Sequence, residues 1–431
     1  MIQTRDMIIL AVIAIVSLVL ALRVQTVAVQ STMSKVVTLV PENAVQFDNI
    51  RLITLKRGDQ AFTFENSDGV WNQVTPFALA IDSASMLAII ESVQGLQVLG
   101  VIQNNASLEV LGLGAGANSI ELSDGDNAVK VFLGRKTLGG RAYAKIDGQS
   151  PLLVSQSLHR RVIDMDYRMW RDVRLFPNFA IDGAGIERDV DGDRLLLERK
   201  DGRWEMKEPV SARVDQGMLA EWVGKLAAAR VGRYVLDEPA DLSMFGLDIP
   251  AATFTVTNRN GEDLSVWIGG RVAAGSQDRY VMVVGNPVVF RMSMEALAQL
   301  FPVPEMFVDS TGSGVSRFDV KQVVIRTGNK EVKMTREIDR WVDANGMLAD
   351  TPAIESLLAW VLETKPLSVA ISAYPSGDEV ASVTLIGYDL APLDTVRIAL
   401  DASNQWILEN GDNVLRLHPT EAGNVLEPFQ N

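Results

Sequence analysis

The sequence predicts an α+β protein: an N-terminal transmembrane helix followed by tandem repeats of an antiparallel sheet with helices packed on one face. Three observations carry that prediction. An uncharged apolar run stands near the N-terminus, a block of residues is written again further along, and each block switches from two-residue alternation to helical spacing.

The apolar run occupies residues 7–22 (MIILAVIAIVSLVLAL), between Arg5 and Asp6 on one side and Arg23 on the other. It falls just short of the roughly 20 residues that cross a bilayer core, and residues 24–29 extend it. A cleaved signal peptide is the main rival, but the run is long for one and residues 27–29 make a poor cleavage site. Charges flank both ends, so positive-inside bias is almost absent. With only six residues before the run, the expectation is a short stub and an exported C-terminal bulk. Residues 1–29 are then stub and anchor in the lipid bilayer (contact through 7–29), and 30–48 a stalk.

The repeat follows. FENSDGVWNQVTPFALAID, ending at Asp82, is echoed by LERKDGRWEMKEPVSARVD, ending at Asp215. Trp71 and Trp204, Pro76 and Pro209, and Asp82 and Asp215 are each 133 positions apart. A weaker third copy holds Trp341 and Asp350. Residues 51–56 and 61–65 alternate apolar and polar across a turn at 57–60, as a hairpin with one buried face does. Asp68-Gly69, Asp201-Gly202, Asn260-Gly261 and Asn410-Gly411 offer the positive φ that tight turns require. The Trp two residues after each Asp-Gly is expected in the core. Asp82 and Asp215 precede apolar residues at helical spacing and are expected to be N-caps. VFLG at 131–134 matches VWIG at 266–269, with TLIG at 384–387 as a fainter echo, and Tyr143, Tyr280 and Trp406 open matching segments that end in Gly148, Gly285 and Gly411. The period, about 135, is domain-sized, beyond the roughly 20 to 50 residues of solenoids. Repeat units are expected at 49–177, 178–310 and, diverged, 311–431.

The Trp, Pro and Asp-capped-helix block, the turns Leu111-Gly112-Leu113 and Phe245-Gly246-Leu247, the Leu-Gly or Ile-Gly strand ends and the Tyr-to-Gly hairpins resemble an uncharacterised membrane-anchored domain encoded beside gliding-motility-type ABC transporter permeases. The resemblance covers about residues 47–308 well and the remainder loosely; the third copy lacks the Pro before its helix and a clear Leu-Gly-Leu turn. It implies an accessory extracytoplasmic subunit of an ABC export system and no catalytic residues.

Composition narrows the chemistry. Asp and Glu number 54 against 40 Lys and Arg in 431 residues, which disfavours nucleic acid as a partner. Cysteine is absent, removing disulfides and thiolate chemistry. His159 and His418 read as solvated or capping residues with no second histidine nearby in sequence. Asp189-Val-Asp191-Gly-Asp193 resembles a calcium loop, but Arg194 and Lys200 stand where its sixth-place glycine and twelfth-place acid belong, so a hairpin turn is preferred. Gly112, Gly114 and Gly116 lack the spacing and the Lys-Ser/Thr of a phosphate loop and read as a structural turn. Thr32-Met-Ser-Lys35 and Ser316-Arg-Phe-Asp319 match only short nucleophile patterns. Trp71, Trp204, Trp341 and Trp406 read as core rather than as a ligand-stacking set. No catalytic, cofactor or metal residue is predicted.

The expected function is a non-catalytic, membrane-anchored accessory subunit of an ABC-type exporter, with the permease and its ATPase as partners and no cofactor. Its expected place is the bacterial inner membrane. A stand-alone envelope ligand-binding or scaffolding protein is the alternative, and an unrecognised hydrolase a more distant one.

Overall fold

Each copy opens on a hairpin whose strands alternate inward apolar and outward polar residues, and whose turn is set by residues able to adopt positive φ. The computed structural model describes residues 37–102, 106–177, 179–181, 183–372 and 374–430. In the first copy β1 (Leu52–Arg57) pairs with β2 (Gln60–Ser67), setting Ile53 against Phe64 and Leu55 against Phe62. Asp68 and Gly69, both at positive φ, then turn the chain into β3 (Val70–Thr75), which carries Trp71. The strands β4 (Leu79–Ala80), β5 (Val98–Val101), β6 (Asn118–Ser123), β7 (Ala128–Thr137), β8 (Arg141–Ile146) and β9 (Leu152–Ser155) complete a nine-stranded sheet. Its order is β4-β3-β2-β1-β6-β7-β8-β9-β5.

The second sheet repeats that order strand for strand. It comprises β10 (Gly185–Val190), β11 (Asp193–Lys200), β12 (Arg203–Glu208), β13 (Ala212–Arg213), β14 (Arg233–Asp237), β15 (Ala252–Thr257), β16 (Asp263–Arg271), β17 (Arg279–Val283) and β18 (Val288–Met292), ordered β13-β12-β11-β10-β15-β16-β17-β18-β14. The third has eight strands: β19 (Gln322–Thr327), β20 (Lys330–Glu337), β21 (Arg340–Val342), β22 (Ser368–Ile371), β23 (Asp378–Ile386), β24 (Pro392–Leu400), β25 (Trp406–Glu409) and β26 (Val414–His418). Its order, β21-β20-β19-β23-β24-β25-β26-β22, is the same without the short edge strand.

One twelve-residue helix lies against each sheet: α1 (Ser83–Gln94), α2 (Gln216–Ala227) and α3 (Thr351–Leu362). The 3.6-residue period buries Met86, Ile89, Ile90 and Val93 of α1 in a core shared with Ile53, Phe64, Trp71, Leu122 and Val131, while Leu87 faces solvent. Residues 37–48 join this unit, where Leu39, Val40, Val45 and Phe47 enter the core and the Gln46 amide donates to Asp124 Oδ2 at 2.8 Å.

The α+β expectation is corrected. The described chain is mostly antiparallel sheet with few helices, because alternation rather than helical spacing governs most apolar residues. Among the described residues no helix is long and apolar enough to cross a membrane. The run at residues 7–29 lies outside the described residues, and the expected single-pass placement in an inner membrane is set aside with the transmembrane part of the fold prediction.

The chain forms two compact units, the first ending at Asp172 and the second beginning at Val173. Within the second unit, Val414 of the third sheet belongs to the apolar cluster of the second sheet, with Val369 and Ile371 packed on it. The buried Arg416 also donates to the Asp309 carbonyl at 3.0 Å and pairs with Asp412 at 2.7 Å.

Candidate functional site

Features shared between copies are explained by packing and capping. Trp71 and Trp341 are buried, while Trp204 and Trp406 are only partly so. Trp204 lies over Gly183, where a Cβ would meet its ring at 2.9 Å. The bonds Thr75-Pro76 and Glu208-Pro209 are both cis. Asp82, Asp215 and Asp350 cap their helices, accepting from the amides of Ser85, of Gly217 and Met218, and of Ala353. The turn Leu111-Gly112-Leu113 packs on Gly134, whose Cβ would stand 2.4 Å from the Leu111 carbonyl oxygen. Phe245-Gly246-Leu247 meets Gly269 in the same way, at 2.3 Å from the Phe245 carbonyl oxygen. Gly112 and Gly246 both adopt the left-handed conformation, at φ 73° and 62°.

Departures from the repeat mark the candidate site. A Cβ on Gly112 would strike Arg135, whereas one on Gly246 would strike Gly270, so a guanidinium stands in the first copy where the second has glycine. After the turn the first copy continues Gly114-Ala115-Gly116-Ala117, and the second Asp248-Ile249-Pro250. These small residues, with Glu109, Arg135, Lys136 and His159, line a hollow of about 540 Å³ with Leu133 and Ile163 as its apolar part. That volume falls within the roughly 300 to 1,000 Å³ of small-ligand sites. Gly116 has neither positive φ nor any atom within 4 Å of a would-be Cβ, so neither conformation nor packing requires glycine there.

The electrostatics of the hollow are uneven. Lys136 Nζ is held by Asp164 at 2.8 Å. Among the described residues Arg135 and Glu109 make no ion pair. His159 is fully buried, and its ring nitrogens make no hydrogen bond of good geometry, although backbone groups of Gly134 and Tyr143 stand beside them. Burial lowers its pKa, against backbone groups of Gly134 and Tyr143 and the charge of Asp164, so its imidazole is neutral at pH 7.

The solvated reading of both histidines is corrected. His418 is fully buried too, with its ring 5.8 Å from Trp360 and its pKa pushed down to about 4 by burial and Arg416. The polar neighbours of His159 in sequence concealed this, because burial there is decided by the strands β7 and β8 behind it. The calcium-like segment is a hairpin turn, with Asp191 and Gly192 at positive φ and Asp189 Oδ1 accepting from the Gly192 amide at 2.9 Å. Ser316 accepts from the Phe318 amide at 3.3 Å, and Thr32-Met-Ser-Lys35 lies outside the described residues. Asn260 and Asn410 do not take positive φ; the glycines after them do. Among the described residues no group of three or more His, Asp or Glu could hold a metal ion.

The model of a family described as a domain of unknown function, DUF4340, matches residues 71–207 and again 204–381. The chain belongs to the DUF4340 family. Both matches open on the repeat Trp, so each DUF4340 frame runs from the third strand of one sheet into the next. No curated protein matches the chain. Among solved structures, the DNA polymerase III subunit beta from Pseudomonas aeruginosa aligns at 10% identity, over 88% of this chain and 95% of that one, with a TM-score of 0.15. So loose a superposition carries no argument about this DUF4340 chain.

Two further networks in this DUF4340 chain are structural. Glu355 accepts from Trp341 Nε1 at 2.7 Å and pairs with Arg317 and with Arg336, whose guanidinium lies over the Trp341 ring. Burial pushes the Glu355 carboxyl up, but these partners more than offset it and its pKa lies below the usual value. Arg188 occupies the inward position held by Leu55 and Ile325 in the other copies, paired with Asp193 at 2.9 Å. Alternation in a single copy hides that substitution, and only comparison between copies finds it.

Proposed function

We propose that this chain is a non-catalytic accessory subunit of an ABC-type export system that works by contact with the permease and its ATPase. The observation that supports this most is the fate of the repeated residues. Trp and capping Asp serve packing and helix ends in each copy, and the turn glycines do so in two, so what the repeats offer a partner is the outer faces of three wide sheets. Those faces carry outward pairs such as Thr255 with Ser265 and Thr384 with Thr395. The resemblance of the repeat to a domain encoded beside ABC permeases supplies the partner class.

The test is affinity purification of the full chain in several mild detergents, with mass spectrometry of what accompanies it. Recovery of a permease and an ATPase is the expected result. Loss of both in every detergent, with the purified chain alone turning over a substrate, replaces this reading with a hydrolase. The hollow beside Arg135 favours a second reading, a ligand-binding protein that works without a transporter, for which the chain alone would bind its ligand at full affinity.

A further inference from the structure

We propose that the hollow in the first repeat binds a phosphate-type oxyanion, held by the Arg135 guanidinium and the backbone amides of residues 114–116. Four independent observations converge there. The first is the wall: Gly114, Ala115 and Gly116 leave amides that, among the described residues, donate to no protein group, and glycine at 116 has no structural cause. A side chain at 116 would cover those amides, whereas its absence lets an oxyanion approach the backbone.

The second is Arg135 itself. Its planar fork matches phosphate geometry, and it makes no ion pair among the described residues. The third is His159, a buried neutral imidazole that lines the hollow beside Gly134 and Tyr143. A neutral imidazole adds no competing charge to the hollow, and backbone groups of Gly134 and Tyr143 face its ring. The fourth is charge along the sequence: residues 128–172 hold nine Lys and Arg against four Asp, in a chain whose formal net charge is −14. Arg135, Lys136 and His159, which line the hollow, all lie in that basic stretch.

The repeat supplies an internal control. The second copy has the same turn and the same packing glycine, yet carries Gly270 for Arg135, Ile249-Pro250 within its wall, and no histidine in residues 293–300. The basic, bare-walled hollow is therefore not required by the fold. Glu109 lines the same hollow and opposes an anion, which gives the proposal a test of sign.

Isothermal titration of the full chain with inorganic phosphate, against chloride at equal ionic strength, is expected to show one saturable site with Kd below about 1 mM. Glycerol phosphate as a second probe separates a site for a phosphate ester from one for the free ion. Arg135→Gln should weaken binding on the order of tenfold, the loss of one charge-assisted contact. Gly116→Val should abolish it with an unchanged melting curve, and Glu109→Gln should tighten it several-fold. Absence of a saturable site, or binding that Arg135→Gln and Gly116→Val leave unchanged, overturns the proposal. So does weakening by Glu109→Gln, the opposite of what removing a like charge beside a bound anion must do.

Discussion

At the residue scale, the tryptophans show where sequence and structure part. Trp71 is 2% exposed and meets Phe64, Met86 and Ile81 in one core cluster, whereas Trp204 leans over Gly183 with part of its ring in solvent. Trp71→Ala should cost on the order of 3 to 5 kcal/mol, and Trp204→Ala clearly less, as read by urea denaturation of each variant. Equal losses would mean that repeat position, and not burial, sets the cost. The shared Trp was legible because a duplicated block exposes it; its unequal burial was not, because it depends on what the neighbouring loop places over the ring. His418 makes a pH prediction. Its folded pKa, about 4, lies below the 6.5 of the exposed group, so the unfolded state binds the extra proton first as pH falls. The stability this neutral histidine contributes is full above pH 6.5 and lost progressively toward pH 4. His418→Phe should flatten the difference in stability between pH 7.5 and pH 4.5 relative to the parent, and parallel curves for the two proteins would refute the assignment.

At the element scale, caps and turns were the most legible features, since each is specified by two or three residues acting locally. Asp82 accepts the Ser85 amide at 2.9 Å, and Asp215 accepts those of Gly217 and Met218 at 2.9 and 3.0 Å. Asp82→Ala and Asp215→Ala should each destabilise by about 1 kcal/mol, while Asp82→Asn and Asp215→Ser should be nearly neutral, because the cap needs an acceptor and not a charge. Thermal melts of the four variants check this, and a full loss in the Asn and Ser variants would point to electrostatics instead. The overall fold class was less legible. A twelve-residue amphipathic helix in each copy is conspicuous in sequence, yet the short strands β4, β5 and β9 and the register shifts between β7 and β8 leave little local mark. Weighting the helix over those strands produced an α+β expectation where sheet dominates. The candidate hollow was half visible: the glycines at 112, 114 and 116 stood out, but what separates them is spatial. Gly112 is required by its φ and by Arg135, and Gly116 by neither.

At the scale of the whole molecule, the same nine-strand order occurs twice and recurs once without its edge strand, yet the chain divides into two compact units. The reason lies in side chains outside the repeat pattern. Val414 on β26 fills the cluster built by Trp222, Phe254 and Phe290, and β22 sets Val369 and Ile371 against it. The linker joining the two copies is fixed from both sides, by Arg213 to Asp309 at 3.3 Å and by Arg416 to the Asp309 carbonyl. Removing the third sheet would therefore expose apolar surface on the second core and leave Asp309 without Arg416. A fragment of residues 173–430 is expected to unfold in one cooperative transition, since the core of the second sheet is completed by Val414, Val369 and Ile371 of the third. A fragment of residues 173–310 should be less stable by several kcal/mol, with the strong dye binding that exposed apolar surface gives. Val414→Ala tests the same coupling with one methyl-bearing side chain. It lies in the third sheet but should lower the midpoint of the whole unit by about 1 to 3 kcal/mol without splitting the transition. If residues 173–310 alone melt at the midpoint of the longer fragment, the two sheets are independent and the shared cluster contributes nothing to holding them together.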